Sequence, residues 1–463
     1  MSIDRRTFIK QLGAIPLLSS GLATGCLSQR ALGADSSGYR ALVCVFLFGG
    51  MDNNDLLLPA DNQYDDFAFV RQSLLAEHGP ARARENLLAL APDNGTSDGS
   101  TWALPPEMPA TKSLFDSGNA AFVTNVGPLL QPLTRQEYLD KTAPLPPRLF
   151  SHNDQQATWQ ASAPEGAQFG WGGLFADAFL SSGSSSDTLS FTTIAASDVG
   201  PFLTGERAFP YRVNPGGASR VFLLGEANNG AIANDDIRQQ LLGHLRGENY
   251  AGGHIIRGDM AGAFASAFDT NASYNQALDG AMALNTAFPM SGLGAQLRTV
   301  AETISIRDQL GVSRQVFFVG IGGFDTHSEQ ALDLPLLLAD IDASVSAFFA
   351  ATEELGVAND VTLFSASDFG RTLAVNGDGT DHGWGAHHMV VGGAVQGRQL
   401  IGTPPPPMLD NPFDAGAGAA IPQFAVEQLA EPLGQWFGLS DGELLAALPA
   451  LKNFDRGAIP LFA

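Results

Sequence analysis

Positive charge is scarce in this chain. Only four lysines occur in 463 residues (Lys10, Lys112, Lys141 and Lys452), and 25 basic side chains stand against 48 acidic ones, a formal net charge of −23. Such a surface repels nucleic acid and anionic lipid and concentrates divalent cations, so neither DNA nor RNA is expected as a partner. Cysteine is nearly missing: there are only Cys26 and Cys44. The first falls in an N-terminal segment of targeting character, so no intrachain disulfide is expected after processing. Past that segment, no run is read as reaching the roughly 18 apolar residues that span a bilayer. Apolar residues make up 44% and charged ones 16%, the balance of a packed chain rather than a disordered one. No internal repeat is visible.

The N-terminal stretch "DRRTFIKQLGAIPLLSSGLATGC" sets Arg5 and Arg6 before Phe8 and Lys10 and follows them with a mildly apolar run. It resembles a twin-arginine export signal, with Asp4 where Ser or Thr is more usual. This implies the twin-arginine translocase as a partner and a periplasmic or secreted destination. "ALGAD" at 31–35 offers cleavage after Ala34, giving a signal peptide of residues 1–34 and a single domain over 35–463. The rival "ATGC" would place a lipid anchor on Cys26 instead. Removing residues 1–34 takes away Arg5, Arg6, Lys10, Arg30 and Asp4, leaving a charge of −26.

Three segments read as strands buried on both faces: "ALVCVFLF" (41–48), "RQVFFVGIGG" (314–323) and "DVTLFSAS" (360–367). Between the last two, "ALDLPLLLADIDASVSAFFAATEELG" (331–356) has helical spacing and ends at Gly356, so strand, helix and strand form a parallel crossover. The fold class is therefore α/β, a mainly parallel central sheet flanked by helices. Serine-rich "SSGSSSDTLSF" opens a stretch of mixed character, and about 181–300 reads as an insertion or cap.

The chemically capable residues lie where these strands stop. "MDNND" (51–55) follows the first, "FDTHSEQ" (324–330) the second and "DFGR" (368–371) the third. In a parallel sheet such carboxyl ends share one edge, where ligands bind, so Asp52, Asp325, His327 and Asp368 can converge from distant positions. "GTDHGWGAHH" (379–388) adds His382, His387 and His388. Adjacent strand residues point to opposite faces, so at most one of the last two faces the site, and His387 joins the candidate ligands. Carboxylates with neutral imidazoles are the chemistry of a divalent ion: zinc or manganese for mixed N and O ligation, magnesium or calcium where oxygen dominates.

The series "FGGMDNND", "SHNDQQATWQ", "GGFDTHSEQ", "SASDFGRT" and "NGDGTDHGWGAHH", behind the twin-arginine leader, resembles the bacterial domain-of-unknown-function family numbered 1501. That family is grouped with the alkaline phosphatase superfamily of metal-dependent α/β enzymes, which includes sulfatases. The resemblance implies Asp52 as first metal aspartate, Ser151 as helix-capping nucleophile, Asp325 with His327 as the next ligands, and Asp368 with His382 as the last. Two departures stand out. Asp325 and His327 are two apart rather than four, and Phe369 occupies a place where a ligand histidine is usual.

Read from the residues alone, Ser151 suits a helix N-cap, Asp52 to Asp55 a side-chain-capped turn, and Asp368 an ion pair with Arg371. The expectation is an exported metal-dependent hydrolase of phosphate or sulfate esters acting on a small-molecule or polymeric substrate, with Ser151 attacking and His152 or Arg371 steadying the anion. The alternative is a noncatalytic relative that binds a surface polymer or a partner protein.

Overall fold

A computed structural model describes residues 34–463 other than 36, 97–98, 182–188, 199, 216, 219–234, 246 and 248–254. The signal-like segment 1–33, with the twin arginines and Cys26, lies outside the described residues.

Strand β1 (Arg40–Leu47) is the hub of the fold. Its residues alternate between two cores: Ala41, Val43, Val45 and Leu47 pack on one side, and Leu42, Cys44 and Phe46 on the other. This is why the segment is continuously apolar: a central parallel strand has no face for water. It lies between β5 (Arg314–Ile321) and β6 (Val361–Ser367) and is parallel to both. The chain leaves β5, crosses through helix α4 (Gln330–Glu354) and re-enters the sheet as β6, on the far side of β1.

Among the described residues the main sheet has nine strands. The remaining six are β2 (Ala120–Gly127), β3 (Thr193–Ala195), β4 (Tyr211–Arg212), β9 (Ala386–Val391), β10 (Leu400–Ile401) and β11 (Phe424–Ala425). The order is β10-β2-β9-β6-β1-β5-β3-β4, with β11 also on β2. Only β9 runs antiparallel to its neighbours, β2 and β6. The segment expected as an insertion or cap thus lends β3 and β4 to one edge of the sheet. A separate two-stranded ribbon joins β7 (Arg371–Asn376) to β8 (Gly379–His382).

Helices cover both faces. On one side lie α3 (Gly292–Ser305), through Leu293, Leu297 and Val300, and α4, through Leu334, Leu338 and Ile341. On the other lie α1 (His152–Ala161), α2 (Trp171–Ser181) and α5 (Val426–Phe437), contributing Trp159, Phe175 and Leu433. Contrary to the sequence reading, α4 is long and apolar enough to cross a membrane, with a mean hydropathy of 1.6 over its best window. Half of that window is buried inside the protein, so its apolar length is accounted for by packing in the core.

Register sets the position of the site. Leu47 pairs with both Ile321 and Ser367, so β1, β5 and β6 end at one level. Ser367 fastens this edge: its Oγ donates to Leu47 O at 2.7 Å and accepts from Met51 N at 2.9 Å.

Candidate metal centre

Asp325, His327, Asp368 and the β8 terminus meet at that edge, joined by the first residue of α1. Oxygens of Asp325 lie 3.6 Å from His152 Nε2, 3.2 Å from His382 Nε2 and 3.1 Å from His327 Nε2. One donor atom each from His152, Asp325 and His382 falls within 4.8 Å of the other two. His327 stands beside this trio, its Nε2 2.9 Å from His382 Nε2.

Hydrogen bonds behind the imidazoles orient them. His382 Nδ1 donates to Phe150 O at 2.7 Å, which leaves a lone pair on Nε2 facing Asp325. The His327 Nε2–H is then the donor of the imidazole pair. His152 Nδ1 donates to Asp368 Oδ2 at 2.7 Å, again freeing Nε2 to face Asp325. Asp368 is fully buried, and the same oxygen also accepts from Gln156 Nε2 at 2.8 Å and Gly49 N at 3.2 Å.

The electrostatics follow from these partners. The bond to Asp368 raises the His152 pKa against the opposing effect of burial. Burial lowers that of His382. Burial also pushes Asp325 upward, but Arg371, bonded to its Oδ1, more than reverses this and leaves its carboxyl below the usual range. Two lone-pair imidazoles and a charged carboxylate, about half exposed, are a mixed N and O donor set that fits a divalent transition ion, with His327 as a further imidazole alongside.

Other expected site residues sit elsewhere. Asp52 is not brought to the trio. It is 1% exposed and gripped by Arg71 through two bonds of 2.5 and 3.0 Å, with Gln330 Nε2 adding a third at 2.6 Å. Burial alone would raise its pKa, but Arg71 and these amides bring it below normal. Asp368 meets the trio only through His152. The Asp368–Arg371 ion pair considered from sequence is replaced by Asp325–Arg371. Arg371 is itself buried and directs its donors to the carbonyls of Gly49, Gly50, Phe324 and Thr380, fastening the strand-end loops rather than facing solvent. His387 is buried with its Nδ1 accepting from Asn125 N at 3.0 Å, and His388 lies edge-on to Trp159. Phe369 is fully buried and packs against His152 and His382, with ring centroids at 4.9 and 4.6 Å.

Ser151 occupies the N-cap of α1 without a side-chain cap bond. Its Oγ donates instead to Asp154 Oδ2, 3.1 Å away. Two left-handed residues, Arg148 and Phe150 (φ 49° and 69°), lead into it. Gln156 and the Phe150 carbonyl escaped the sequence reading, although the i, i+4 spacing of His152 and Gln156 inside "SHNDQQATWQ" was available as a signal.

The family model described as Protein of unknown function (DUF1501) matches residues 39–412. The chain belongs to that family. No curated protein matches it. Among solved structures, "Crystal structure of Ps i-CgsB" is similar at 9% identity and a TM-score of 0.36, over 90% of this chain and 77% of that one. The same protein "in complex with k-i-k-neocarrahexaose" gives 9% and 0.35 over 90% and 77%. A Bacteroides thetaiotaomicron chain, from a structure titled for metabolism of multiple glycosaminoglycans, gives 9% and 0.32 over 88% and 74%. At these TM-scores none of the three bears on the roles of residues in this chain.

Proposed function

We propose that this chain is an exported hydrolase of phosphate or sulfate esters built around one divalent ion held by His152, Asp325 and His382, with His327 beside them. The observation that carries the reading is the convergence of those three donor atoms, with hydrogen bonds behind both imidazoles aiming their lone pairs at one carboxylate. When bound, the ion would supply Lewis-acid polarisation of the ester and lower the pKa of a coordinated hydroxyl or water.

The chain's own groups would do the rest. Ser151 Oγ attacks phosphorus or sulfur while its proton passes to Asp154 and on to the leaving-group oxygen as that bond breaks, and water then cleaves the seryl ester to return Ser151 and the free anion. Backbone N–H groups at the start of α1 offer donors to the anion. Asp368 holds the His152 ring so that its Nε2 is the atom turned towards the ion. The paired arginines Arg5 and Arg6 support export by the twin-arginine route, with cleavage after Ala34.

A noncatalytic binding role is the second reading, favoured by Asp52 being engaged by Arg71, which leaves a single ion site among the described residues. The full chain loaded with zinc or manganese is assayed with p-nitrophenyl phosphate and p-nitrophenyl sulfate. Turnover of one ester, lost in Ser151→Ala with the ion retained, supports the hydrolase; an ion-loaded chain inert to both leaves the binding role.

A further inference from the structure

A cleft of about 330 Å³ opens along α1 next to the candidate centre, and one of its lining residues, Gln156, bonds Asp368, the carboxylate behind His152. His152, Gln156 and Gln160 recur every four residues, so they form a row along one face of α1, about 12 Å from first to last. The first belongs to the ion site. The other two line the cleft, together with Asn153, Phe48, Glu165 and Asp198. Gln156 donates its Nε2 to Asp368, and Gln160 Oε1 accepts from Phe202 N at 3.4 Å. One amide therefore turns an acceptor, and the next a donor, to the cleft.

No lysine, arginine or histidine is among the described lining residues. Nor are the two carboxylates a trap for a cation: Asp198 is paired with Arg212 at 2.8 Å, and Glu165 lies 3.7 Å from Arg148. Alternating amide donors and acceptors, carboxylate acceptors and one aromatic ring suit hydroxyl groups. A second anion would meet Asp198 and Glu165, whose arginine partners are already engaged.

Resting on the hydrolase reading, we infer that this cleft seats an uncharged, hydroxyl-rich leaving group, and that the site takes polyol esters bearing a single phosphate or sulfate group and rejects esters carrying a second one. The test is calorimetric titration of the full, ion-loaded chain with non-hydrolysable probes: methylphosphonate, a glucose 6-phosphonate and a fructose 1,6-bisphosphonate. The glucose probe is expected to bind at least about tenfold more tightly than methylphosphonate, and more tightly than the bisphosphonate. Asn153→Ala should cut that advantage several-fold without changing methylphosphonate binding, and Glu165→Lys should recover the bisphosphonate. Equal affinity for the glucose probe and methylphosphonate overturns the cleft inference and leaves the hydrolase reading standing. Failure of all three probes to bind overturns both.

Discussion

Single residues at this strand edge divide into those that aim donors at a point and those that neutralise buried charge. Asp52 and Arg71 are of the second kind, both essentially excluded from water. Removing one partner strands the other, so Arg71→Met should cost about 3–5 kcal/mol in urea denaturation, whereas Arg71→Met with Asp52→Leu should recover most of it. Asp368 is of the first kind. Asp368→Leu keeps the approximate size but loses the acceptor that fixes the His152 tautomer, and ion affinity in a chelator competition should fall about 10–100-fold. This distinction was beyond the sequence. Asp52 reads like Asp325, an acid just past a buried strand, because Arg71 comes from a different stretch of chain and nothing local marks it as a partner. Likewise, the bonds of Arg371 to four backbone carbonyls exist only after folding.

Among the elements, the parts set by local pattern were legible. The three buried strands, the helix between two of them and the gathering of acids at strand ends follow from apolar runs that stop in small residues. Less legible was α1, whose first residue, His152, completes the donor trio although the sequence offered it only as a substrate contact. The loop after β1 shows why glycine ends the strand. Gly49 and Gly50 have φ of 115° and 85°, and a Cβ at Gly50 would lie 2.2 Å from the Phe369 ring. That ring packs on His152 and His382, so Gly50→Ala should move both imidazoles. The expected outcome is a loss of ion affinity together with a fall in melting temperature, read by the same competition assay and by calorimetry.

For the molecule as a whole, pH dependence follows from its buried histidines. Burial holds His387 and His388 down at about 3, while the unfolded chain protonates each near pH 6.5. Between these values the unfolded state binds more protons, so stability falls as pH falls, by about 1.4 kcal/mol per pH unit for each histidine. From pH 6.5 to 5 that is about 2 kcal/mol apiece. Asp52, with its lowered pKa, extends the loss below pH 3.8. Urea midpoints measured from pH 7 to 5 should decline steadily, and His388→Leu should reduce the slope by about half; a flat profile would place both imidazoles in contact with water.

The central claim is that three distant stretches of a strongly acidic chain gather His152, Asp325 and His382 around one cation. Elemental analysis of the full chain, after equilibration with zinc and dialysis, tests it most directly. Close to one ion per chain is expected, with none retained by Asp325→Ala or His382→Ala variants that keep the wild-type circular dichroism spectrum. A wild-type chain that emerges without zinc, or variants that hold as much as it does, would contradict the claim.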